Sequence, residues 1–203
     1  MLLAFLLLGF SLKADEVINF DSLNDGDIVT TQYQSLGVTF SNTLVQTVGL
    51  SLNEFDFPPE SGTNVVIDNG GPISITFVDP ILTFGAYFTY LEPLTVDAFD
   101  ASGDLVDVAT SLFSDNLGYG DGDPGSSPDE FIPVTFGAGI SSVTITGDPF
   151  GYSFAMDDAT ITDLPASTSV PEPGSLSILL IGVLALAAFV GNERRRAFRF
   201  LTK

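Results

Sequence analysis

The chain has no cysteine, no histidine and no tryptophan, and almost no positive charge in its body. Each absence removes chemistry. Without cysteine there are no disulfides, and a body of this length buries enough core to do without them. Without cysteine and histidine, thiol nucleophiles, Ser–His–Asp triads, histidine general bases and ordinary zinc sites are all excluded. Lys13 is the only basic residue before Arg194, while all 26 acidic residues lie between those two positions. A body so charged repels phosphate backbones, which excludes nucleic acid as a partner. It favours divalent cations, for which carboxylates are hard oxygen ligands. For most of these side chains a solvated acidic surface is the simpler reading. Carboxylate pairs at glycosidase spacing arise by chance in so acidic a chain, and no enzyme is expected.

What is present falls into five segments. Residues 1–14, Met-Leu-Leu-Ala-Phe-Leu-Leu-Leu-Gly-Phe-Ser-Leu-Lys-Ala, read as the apolar part of a signal peptide lacking its basic start, with Ala14 the last residue before the cut. Residues 15–165 form the acidic body. Residues 166–175 are a Ser/Thr/Pro linker containing Pro171-Glu172-Pro173. Residues 176–192 are apolar and uncharged. Residues 193–203 are a basic tail with Arg194, Arg195 and Arg196.

The C-terminal segments have a physical logic. Leu176–Val190 as a helix is about 22 Å long, short against a bilayer core of about 30 Å, which suits a transient anchor. Pro171 and Pro173 mark its upstream edge. Arg194, Arg195 and Arg196 stop translocation and hold the tail in the cytoplasm, leaving the body outside. Pro-Glu-Pro, a single transmembrane helix and an arginine cluster, in that order, resemble the PEP-CTERM sorting signal of exopolysaccharide-producing Gram-negative bacteria. The resemblance covers residues 170–199. It implies export, temporary anchoring in the inner membrane, recognition of Pro171, Glu172 and Pro173 by a membrane exosortase, and delivery to the cell surface or the medium.

The body shows apolar alternation broken by turn residues and no helical period. Alternating stretches run over 36–40, 73–77, 82–90, 94–98, 105–113, 131–136, 140–145 and 154–161, with Asp100-Ala-Ser-Gly103 as a hairpin turn. The pattern predicts about nine or ten strands in an all-β, antiparallel, jelly-roll-like β-sandwich, with most of the 18 phenylalanines inside. Residues 53–62 and 114–128 read as loops. Phe20-Asp21 through Phe40 is similar to the first strands of surface proteins carrying this tail, and Phe154-Ala-Met-Asp157-Asp158-Ala-Thr-Ile161 to the last strand of galactose-binding-like jelly rolls.

Two calcium sites are candidates. The first joins Asp21 or Asp25 to Asp157 or Asp158, between the first and last strands, where jelly-roll carbohydrate-binding modules hold a structural calcium. On a regular strand Asp157 and Asp158 face opposite ways, so one points inward or the strand bulges. An inward carboxylate needs a cation or several hydrogen bonds, and the body offers no Lys or Arg. The second is the loop Asp121, Asp123, Asp129 and Glu130, whose acidic residues interleave with glycine, or which is simply solvated. Tyr87, Tyr90, Tyr119 and Tyr152 are candidates for stacking on sugar rings, or amphipathic residues at the sandwich edge. The expected role is structural or adhesive, in an exopolysaccharide or biofilm matrix. The alternative is a carbohydrate-binding module with structural calcium.

Overall fold

The computed structural model describes residues 15–165. The signal segment, the linker with Pro171-Glu172-Pro173, the apolar run and Arg194–Arg196 lie outside the described residues. Among the described residues, no helix is long and apolar enough to cross a membrane.

The body is all-β and antiparallel. Its strands are β1 (Glu16–Ile18), β2 (Val38–Ser41), β3 (Thr43–Thr47), β4 (Asn64–Asp68), β5 (Ile73–Tyr90), β6 (Thr95–Phe99), β7 (Leu105–Thr110), β8 (Glu130–Thr146) and β9 (Phe154–Asp163), with one 3-10 turn at Gln34–Leu36. They form one sheet in the order β3-β4-β9-β5-β8-β6-β7, with β1 also on β9 and β2 also on β5.

Two long strands organise this sheet. The alternating stretches 73–77 and 82–90, which read as separate strands, are one strand, β5; 131–136 and 140–145 are likewise one strand, β8. They stay paired to each other through two register shifts, between Thr76 and Ile81 and between Ile81 and Thr83. The break is written in the residues. Val78, Asp79 and Pro80 are exposed, and a proline inside a long strand is tolerated at a bulge. Opposite lies Gly139 at φ +110°, where a Cβ would stand 2.7 Å from Pro80 Cβ. Before the break, β5 lies between β2 and β8; after it, between β9 and β8.

The inner faces of both halves share one core. Phe20, Phe40, Val45, Ile75, Phe84, Phe88, Val96, Ile145, Phe154 and Met156 belong to it. Phe20, Tyr33 and Phe40 pack edge to face at centroid distances of 5.8–6.0 Å, joining the segment after β1 to β2. A smaller apolar cluster of Leu52, Val65, Ile67 and Ala155, with Leu44, Val48 and Phe57 against it, covers the outer face of β4. Asn64–Asp68 is therefore buried at every position.

β6 and β7 form the hairpin expected at Asp100–Gly103. The Asp100 carboxylate accepts from Ser102 N and Asp104 N at 2.8 and 3.1 Å, and Gly103 takes φ +82°.

Candidate functional site

β9 does not run regularly. Opposite Gly85 and Tyr87 of β5 it pairs through Thr160 and Asp157, a register shift of one residue, and Asp158 takes φ +44°. This bulge resolves the conflict posed by two adjacent aspartates in a half-buried strand. Asp157 is buried and Asp158 half-buried.

The bulge grips the loop before β4. Ser61 N donates to Asp157 Oδ2 at 2.9 Å, and Ser61 Oγ donates to Asp158 Oδ1 at 2.9 Å. Asp158 N donates to Asp157 Oδ1 at 2.7 Å. Asp21 holds the other side of the same loop: its Oδ1 accepts from Thr63 N at 2.8 Å and Asn64 N at 3.1 Å. Gly62 lies so close beneath that carboxylate that a Cβ would stand 1.8 Å from Oδ2.

Burial dominates the electrostatics. The Asp157 carboxyl is pushed up to about 7, first by desolvation, with smaller contributions from Asp158 and Asp21, and against the hydrogen bonds from Ser61 and Asp158. Asp129 is pushed up to about 6 by desolvation, then by the charges of Glu60 and Asp158. Five carboxyls from four segments thus share one region without a basic residue.

The structure places the two sets of expected calcium ligands as follows. Asp21, Asp157 and Asp158 all hold the 61–64 loop. Asp25 lies apart and accepts from Thr47 N at 3.0 Å and Ser51 Oγ at 2.5 Å. In the second set, Asp121 is exposed. Asp123 accepts from Ser114 N at 2.9 Å. Asp129 pairs with Thr89, and Glu130 accepts from Tyr90 Oη and from Leu112 N. Among the described residues, no group of three or more acidic side chains is arranged to hold a metal ion. Asp21 Oδ1 and both carboxylate oxygens of Asp157 accept from backbone N–H donors.

The four tyrosines separate by burial. Tyr90 is fully buried, its hydroxyl pushed up to about 12 by desolvation and then by the bond it donates to Glu130; it has no face for a ligand. Tyr87 is half-buried and packs on Phe131 at 5.0 Å. Tyr119 and Tyr152 are exposed, both with positive φ.

Sequence reasoning left out Glu60, Ser61 and Phe55, which sit in the loop 53–62. The contact of Ser61 with Asp157 spans 96 positions, and no local pattern announces it.

No family model and no curated protein matches the chain. Among solved structures it is similar to the K2 cleaved adhesin domain of Lys-gingipain, with 14% identity and a TM-score of 0.46, over 73% of this chain and 98% of that one. It is also similar to a family 11 carbohydrate-binding module from Clostridium thermocellum, in complex with a β-1,3-1,4-mixed-linked tetrasaccharide, with 10% identity and a TM-score of 0.32, over 74% of this chain and 96% of that one.

Proposed function

We propose that this is an exported protein of the cell surface or extracellular matrix, whose jelly-roll-like β-sandwich has a structural or adhesive, non-catalytic role. The observation that carries the reading is the order of Pro171-Glu172-Pro173, the apolar run and Arg194–Arg196 at the C-terminus. A membrane exosortase is the partner this order assigns. The inner membrane holds the chain before processing, with the arginines on the cytoplasmic side. The strongly acidic body supports solubility of the exported domain. The test is mass spectrometry of the mature C-terminus together with cell fractionation. The expected product ends between Ala166 and Ser175 and is found at the surface or in the medium. An intact tail in the inner membrane would sink the sorting role.

A second reading, a carbohydrate-binding module, is favoured by the exposed rings of Tyr119 and Tyr152. Specific glycan binding on an array supports the module; silence there leaves the structural role.

A further inference from the structure

Two of the most exposed large side chains in the body meet at the tips of two loops. Phe55 is 66% and Tyr119 84% exposed. Their ring centroids lie 6.1 Å apart, with the planes at 76°. Burial does not hold them there; the backbone does. Gly118 N donates to Asp56 O at 2.8 Å, and a Cβ at Gly118 would stand 2.3 Å from the Phe55 carbonyl oxygen, so the loops touch main chain to main chain. Asn116 pins the root of the second loop: its side chain accepts from Tyr90 N at 2.6 Å and donates to Phe88 O and Ser127 O at 2.9 and 3.1 Å. Tyr119 itself sits at φ +55°, a left-handed conformation that costs a non-glycine residue on the order of 1 kcal/mol. The ring is held outward in spite of that strain.

The surroundings specify charge. Glu54 and Asp56 flank Phe55, and Asp121 and Asp123 follow Tyr119. No Lys, Arg or His occurs among the described residues to compete for them. Beside Tyr119 opens a cleft of 320 Å³ whose lining includes Asp123, Pro124, Ser126, Ser127 and Pro128. Two rings steeply inclined to each other offer π faces to an ammonium group and to the apolar side of a pyranose. The carboxylates attract cations and repel anionic chains, and the serines offer hydroxyl partners.

We propose that the Phe55–Tyr119 corner binds a cationic polysaccharide, a chain of amino sugars with free amines. The rings stack on the sugar, and the carboxylates around them take the ammonium groups. The proposal rests on the adhesive reading above and names the class of its partner.

The test is isothermal titration of the full-length chain in detergent solution at mildly acidic pH, where the sugar amine is charged. The probes are a glucosamine hexamer, its fully N-acetylated counterpart, cellohexaose and hexalysine. The expected result is binding of the glucosamine hexamer that weakens about tenfold or more in Tyr119→Ala and in Phe55→Ala, is kept in Tyr119→Phe, and falls as salt is raised. Both rings are exposed, so the alanine variants keep the wild-type melting temperature. Equal binding of cellohexaose, or alanine variants that bind like the wild type, overturns the proposal and leaves the adhesive role standing. Hexalysine bound as tightly, with the same need for both rings, overturns the sugar as occupant in favour of a basic peptide. A wild type that binds no probe overturns the proposal. The sorting and surface role is judged separately, by the localisation experiment.

Discussion

Asp68 and Asp157 are both buried carboxylates, 0% and 2% exposed, and they are held differently. Asp68 accepts three bonds across the β8–β9 turn: from Ser153 N at 2.8 Å, Ser153 Oγ at 2.8 Å and Phe154 N at 3.1 Å. Those bonds work against the desolvation that raises its pKa. The turn leaves no slack, since at Gly151, with φ +86°, a Cβ would lie 2.5–2.8 Å from the main-chain atoms of Asp68, Gly70 and Gly71. Asp68→Ala strands three donors in the interior, and we expect a loss of about 3 kcal/mol or more, read as a lower urea midpoint with an unchanged m-value. A variant within experimental error of the wild type would mean that the turn is closed by its backbone alone. Asp157 has two backbone donors, Ser61 N and Asp158 N, and other carboxylates for neighbours.

That difference acts through the bulge of β9 and the loop it grips. Asp157 and Asp129 have folded pKa values of about 7 and about 6, against 3.8 for the free group. The folded state therefore binds more protons than the unfolded state between those values, and stability falls as pH rises from about 4 to about 7, levelling above. Glu60, Asp21 and Asp158 surround the pair, and no base offsets them. We expect the melting temperature to decline across that window and Asp157→Asn to flatten the upper part of the slope. A melting temperature that rises from pH 4 to 7 would contradict the burial of these groups. At this scale the sequence was legible where apolar residues alternate along a strand, as in 73–77, where Ile73, Ile75 and Phe77 are buried and Thr76 is exposed. It was not legible for Asn64–Asp68, which the 48–57 segment covers from outside, so that alternation disappears. The joining of paired stretches into β5 and β8 escaped because Pro80 and the glycines opposite read as turn residues. The clash at Asp157 and Asp158 was visible in the sequence; the loop that answers it was not, because it arrives from 96 positions away.

For the whole molecule, uncompensated charge is the dominant electrostatic fact. With no basic residue among the described residues, compaction brings like charges together, and mobile ions weaken the repulsion. Raising sodium chloride from about 0.02 M to about 0.5 M, across which the Debye length shrinks several-fold, is expected to raise the melting temperature by several degrees; a flat response would mean that the carboxylates are too widely spaced to repel. Pairing adds a constraint of time. β9 is the last strand among the described residues, yet it lies in the middle of the sheet, against β5, β4 and β1. A nascent body that has delivered everything up to Tyr152 lacks the partner of three earlier strands and has no closed core. Without Phe154–Asp163 the strands before it cannot close the core, so the body completes its fold only once that segment is in place.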